Sequence, residues 1–310
     1  MRGMGAFALL VLFAPASLAA PPELARGDLA WARRGDGQVD GKAAPQPIGA
    51  AIDAYTAAVA VEPRSLEASW KLVRALWFSA NFASEDVTAK RSTYERARDE
   101  SGRGFALLAE RFGDRERFGD ATPDELRARL SPGDAHDAAR LYFWSALNLG
   151  EWGRIAGPVE AIRAGVPNHL HQDALRSLAL DPEVEQGGAL RLLSRLHAEV
   201  PYLPLLFGWV DRAQAVPLAE RAVARFPQHP WSLYILAEAI LDTEPERRLE
   251  ALSLLERTSA LAPRLDHIVE DAAVRKAARE RLQAERRASA SAPSQRIAPR
   301  DRSAARADSP

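Results

Sequence analysis

DRAQAVPLAERAVARFPQHPWSLYILAEAILD, residues 211–242, decides how the chain folds. Ala215, Ala219 and Ala222 fall at the spacing of one helical stripe, and Pro227 ends that helix because a proline ring cannot continue the backbone ladder. A second helix begins near Pro230 and carries Leu233, Leu236, Ala237 and Ile240. Small residues on the first stripe let two backbones approach, so the stretch reads as an antiparallel helix pair. The same spacing recurs at Ala51, Tyr55, Ala58 and Pro63, at Ala189, Leu193, Leu196 and Pro201, and at Ala251, Leu255, Thr258 and Pro263.

Pro227 and Pro263 lie 36 residues apart, close to the period of roughly 34 residues of a tetratricopeptide repeat, which the pattern resembles. Pro201 and Pro227 are only 26 apart. That shortfall predicts a missing helix, replaced by the apolar stretch Tyr202 to Val210. A chain of 310 residues exceeds one ordinary domain, yet a solenoid reaches that length as one unit because each repeat packs on its neighbours. Ala, Leu and Arg are abundant, and no sustained alternation marks a sheet. The predicted fold is all-α, a tetratricopeptide-like helical repeat bundle or solenoid of about a dozen helices, closed by an increasingly polar helix from Leu265 to Arg287.

The first residues predict export. Arg2 supplies a basic start, Ala6 to Phe13 an apolar core and Ser17-Leu18-Ala19 a small-x-small cleavage pattern, the plan of a signal peptide over residues 1–19. A single helical domain is expected over 20–287. There is no cysteine, which excludes disulfides, thiol catalysis, Cys-held metals and a lipid on an N-terminal cysteine. The expected location is the periplasm, without lipidation.

Charge divides unevenly along the chain. Residues 275–310 hold ten basic side chains against four acidic ones, whereas residues 20–274 are acidic. From Ala288 the Ala-, Ser-, Pro- and Arg-rich end has too little apolar content to fold, so 288–310 reads as a disordered basic tail. It is either a solvated end or a contact for an acidic surface.

No motif for a catalytic nucleophile, a metalloprotease or a phosphate loop is present, and Gly102-Arg103-Gly104 lacks the preceding strand and the Lys-Ser/Thr that a phosphate loop needs. No catalytic residue, cofactor or metal is expected, and the protein is read as non-enzymatic. His169 and His171 make an H-x-H pair after Pro167, either two ligands of a metal site without further partners or a polar loop capped by Asn168. An acidic body and alternating charges speak against nucleic acid.

The segment 138–154 is the most unusual helix. Arg140, Trp144, Asn148 and Trp152 follow one another at four-residue intervals on one face. They are the candidate lining of a ligand cleft, because polar groups beside buried rings need partners; alternatively both rings are core and Asn148 bridges to a neighbouring backbone. Phe207 and Trp209 join the candidate site. Their loop carries Leu203, Leu205 and Leu206 as well, and leaving five such side chains in water forgoes about 1.5–3 kcal/mol each. The expectation is that the loop packs inward against the Trp144/Trp152 helix, as a cleft wall, a subunit contact or core filling.

RLYFWSALNLGEW at 140–152 and GWVDRAQA at 208–215, followed by the helix pair, resemble the T component associated with TRAP transporters over roughly residues 45–265. The resemblance implies an exported bundle of degenerate tetratricopeptide pairs, a homo-trimer, a periplasmic solute-binding protein as partner and a hydrophobic or amphipathic small molecule as ligand. The alternative function is a tetratricopeptide-type scaffold for proteins or peptides in the cell envelope.

Overall fold

The computed structural model describes residues 22–291. The expected signal peptide and the tail beyond Ser291 lie outside the described residues. Among the described residues there are fourteen α-helices and no strand. They are α1 (Pro22–Ala32), α2 (Pro45–Val61), α3 (Leu66–Phe78), α4 (Val87–Phe112), α5 (Arg115–Phe118), α6 (Pro123–Arg129), α7 (Pro132–Ala156), α8 (Pro158–Arg163), α9 (Val166–Leu180), α10 (Gly188–Glu199), α11 (Ala215–Arg225), α12 (Pro230–Thr243), α13 (Arg248–Ala260) and α14 (Ile268–Ser291).

Five antiparallel pairs stack in chain order: α1 with α2, α3 with α4, α7 with α9, α10 with α11 and α12 with α13, and α14 caps the stack. This is a tetratricopeptide-like all-α repeat fold. Helix starts are fixed by side chains that accept from free N–H groups of the first turn. Ser65, Asp86 and Ser131 do so for α3, α4 and α7, and Thr122 with Glu125 forms a reciprocal capping box on α6. Trp77 lies where three core clusters meet, which ties the first, second and third pairs together.

The two ends of the stack meet. Arg34, just after α1, donates from Nε to Glu270 of α14 at 3.0 Å, and Val269 of α14 belongs to the same apolar cluster as Leu24 and Ile48.

Several expectations need correction. No helix is missing between Pro201 and Pro227: α10 pairs directly with α11, and the stretch between them is a long turn within that pair. The Ala/Leu spacing marks close antiparallel contact on either member of a pair, so it does not by itself identify the second member. His169 and His171 are in α9, not in a loop, because the helix starts at Val166 with Pro167 in its first turn. Gly150 and Gly153 fall inside α7. They let α9 approach, since a Cβ at either would come within 3.2 Å of Leu170 or Val166. Gly104 likewise lies under Leu141, at 2.7 Å for an added Cβ. Finally, α14 continues to Ser291, past the expected boundary at Arg287.

Candidate functional site

The six residues singled out in the sequence fall in separate places. Trp144 is buried, its ring 5.2 Å from Trp77 and 5.1 Å from Phe143. Asn148 has no exposed surface, and its Nδ2 donates to the carbonyls of Val73 at 3.1 Å and Trp144 at 2.8 Å. It bridges α3 and α7. Trp152 turns toward α4, with the Arg98 guanidinium 4.2 Å above its ring and Nε1 3.4 Å from Glu95. Arg140 departs from all three and pairs with Asp181 at 3.1 Å. A shared helical face thus serves three neighbours rather than one cleft, because α7 is enclosed by α3, α4 and α9 at once.

The loop corrects a further expectation. Phe207 and Val210 are buried, but Tyr202, Leu203, Leu205 and Leu206 face solvent, and Leu205 is 99% exposed. The amides of Leu206 and Phe207 both donate to the Leu203 carbonyl, closing a tight turn that aims residue 205 outward. Trp209 holds the base of the loop. It stacks on His171 of α9 with ring centroids 4.0 Å apart and donates from Nε1 to Asn168 at 2.7 Å. The loop therefore seats on α9, not on the Trp144/Trp152 side of α7. His197 completes the seat by accepting from the Asp211 amide at 3.0 Å. Burial pushes the His171 imidazole down to about 4, so the stack is neutral near pH 7.

A second region, missed in the sequence, gathers around Arg74 and Arg191. The Arg74 guanidinium of α3 lies 3.8 Å from the Trp31 ring and 4.9 Å from the Trp70 ring. Trp70 in turn donates to Asp137 at 2.9 Å. Opposite, Glu185, Gln186 and Gly187 adopt three successive left-handed backbone conformations, with φ of 46°, 50° and 84°. Such conformations cost of order 1–3 kcal/mol each for side chains with a Cβ and persist only when their surroundings fix them. Arg191 does so by donating to the Glu185 and Gln186 carbonyls, both at 2.6 Å. Burial lowers the Arg191 guanidinium to about 9 and holds His229, beside it, well below the usual imidazole range. Pro182 and Gly187-Gly188 mark the turn in the sequence, but nothing local there signals two non-glycine residues in that conformation.

A third polar group lies between α7 and α9. Asp173 and Tyr142 are buried, and Tyr142 Oη and Ser177 Oγ find no hydrogen-bond partner among the described residues. Burial raises the Asp173 carboxyl to about 7, against the pull of Arg176 at 4.0 Å.

No family model matches the chain, and no curated protein is found similar to it. Among solved structures, the crystal structure of the yeast Tom70 is found at 16% identity, covering 89% of this chain and 68% of that chain, with a TM-score of 0.26. A superposition that loose says nothing about what this chain binds. The stacked pairs themselves define the class, a helical-repeat protein of tetratricopeptide type.

Proposed function

We propose that this protein is an exported, unlipidated and non-enzymatic helical scaffold that binds a partner protein through the loop at 202–206. The observation that carries this reading is the exposure of four apolar side chains on a turn whose base is firmly held. A rigid apolar tip costs little ordering entropy when a partner covers it, whereas in water it is only a liability. The fold supplies the usual platform for such recognition, since repeat stacks offer extended surfaces.

A second reading is the T component of a TRAP-type system, with a solute-binding protein as partner and an apolar or amphipathic solute as ligand. It is favoured by the convergence of the two resembling blocks on one helix: α7 packs on α9, and Trp209 seats on α9 through His171 and Asn168.

Native mass spectrometry of the protein from its own host separates the two. The scaffold reading expects a protein-sized increment that disappears when Leu205 and Leu206 are replaced by Asp. A monomer carrying only a small-molecule increment contradicts it and favours the solute.

A further inference from the structure

We infer that the seat of the 202–206 tip is a proton-operated catch, closed while His171 and His197 are neutral imidazoles and opened when they take up protons. As a control over docking the catch rests on the scaffold reading. As a property of the loop it rests on neither functional reading, and it is tested without a partner.

The loop is tied to α10 by a hydrogen bond that can run in one direction only. The Asp211 backbone N–H donates to His197 Nδ1 at 3.0 Å. A backbone amide nitrogen does not accept, so Nδ1 keeps its lone pair and the ring proton sits on Nε2. A proton added at Nδ1 sets two hydrogens face to face and breaks that bond. His197 is buried, so in the seated loop water does not replace what is lost.

The same loop leans on both imidazoles at once. The Trp209 ring lies flat on His171 at 4.0 Å, with 5° between the planes, and stands edge-on to His197 at 5.7 Å. The two imidazoles are 5.8 Å apart. An indole face attracts a cation, but a second imidazolium so near repels it, and both rings have left water. Burial first and the His197 charge second hold the His171 imidazole down at about 4. Burial also holds His197 below the usual imidazole range, against the pull of the Asp211 carboxylate.

The other charges around the seat are engaged elsewhere. Arg212 donates to the carbonyls of Ala198 and Asp242, and Arg195 of α10 pairs with Glu199 at 2.9 Å. On α9 itself, Asp173 acts on Tyr142 of α7, and His169 is exposed. Glu160 of α8 pairs with Arg91, and Glu151 of α7 with Arg154. The Asp211 carboxylate does reach His197, but it caps the short turn before α11 by accepting from the Ala213 amide at 3.0 Å. Pairing with an imidazolium would draw it from that turn.

A seated loop therefore binds fewer protons than a freed one, whose imidazoles return toward the ordinary 6.5. The seat has its full strength above about pH 6.5 and weakens as pH falls from there toward about 4. Its equilibrium shifts by up to about tenfold per pH unit for each imidazole. Opening gives up the Trp209 stack and the bond from Trp209 to Asn168, and with them the rigid base of the tip.

The test is hydrogen exchange of the whole chain between about pH 7.5 and about pH 4.5, each amide rate divided by that of an unstructured peptide at the same pH. Protection of the Phe207, Val210 and Asp211 amides, which donate to Leu203, Phe207 and His197, is expected to fall by roughly tenfold or more. Amides inside α3 and α12 should keep theirs. His171→Phe keeps a flat ring under Trp209, and His197→Asn places a carboxamide oxygen where Nδ1 stood; together they should hold protection level across the range. His197→Phe, which removes the acceptor, should expose the Asp211 amide already at about pH 7.5. Circular dichroism of each variant checks that the helices remain. Unchanged protection in the unsubstituted protein, a fall that persists in the double variant, or an equal fall in α3 and α12 overturns the catch. Acid-released protection with no partner captured at position 205 keeps the catch and sinks docking, whereas a captured partner beside pH-independent protection does the reverse.

Discussion

The block at 140–152 and the loop at 202–210 are equally rich in aromatic and aliphatic residues, yet one ends inside the protein and the other largely on its surface. In the first, a helical period hands each ring to a different neighbour: Trp144 to α3, Trp152 to α4, and the small residues between them to α9. In the second, Pro201 and Pro204 break the period, and only Phe207, Trp209 and Val210 find cover. Apolar content alone therefore does not predict burial. What matters is whether a regular backbone delivers the side chain to another element, and an apolar stretch without one becomes a surface.

Substitutions in the two blocks should separate sharply. The largest loss is expected for Trp77→Ala or Trp144→Ala, which remove touching rings from a packed junction and should cost about 3–5 kcal/mol of unfolding free energy. Chemical denaturation with helical content as the probe measures this. A loss below about 1 kcal/mol, typical of a surface site, would mean that the block is not core.

Asp173, buried on α9 where that helix joins the first block to the seat of the second, gives a pH-dependent test. Its folded-state carboxyl sits near 7 against an ordinary 3.8. The native state therefore holds a proton that the unfolded chain releases between these values, so stability falls as pH rises from about 4 to about 7, with a slope of at most about 1.4 kcal/mol per pH unit. Asp173→Asn should flatten that limb and raise the melting temperature at pH 8. An unchanged profile would place the carboxyl in contact with water.

Asn148→Ala should cost about 1–3 kcal/mol by removing the donor from two buried carbonyls. The smallest effect belongs to Leu205→Ser, which should change stability by less than about 0.5 kcal/mol because nothing in the fold covers that side chain. A larger loss there would return the loop to the core and erase the contrast between the blocks.

The repeat pairs were legible because their signal is local: stripes of alanine and leucine ended by Pro63, Pro227 and Pro263 reappear as the packed faces of α2, α11 and α13. The order of pairing was harder to read, since Ala189, Leu193 and Leu196 look the same whether α10 opens or closes a pair. The candidate site was legible only as a set of residues. Four-residue spacing put Arg140, Trp144, Asn148 and Trp152 on one face, but whether that face meets an opening or several helices depends on α3, α4 and α9, which are distant in sequence. The cluster around Arg74 was invisible for the same reason, as its rings come from α1 and α3.

The most direct test of the scaffold reading is a photoreactive amino acid placed at position 205 in the living host, with the same group at Leu249 and Leu265, which are 80% and 94% exposed, as controls for exposure alone. A scaffold that docks its partner on the loop gives one discrete protein adduct from position 205 and none from the controls. No adduct at 205, or the same adducts from all three positions, would contradict it.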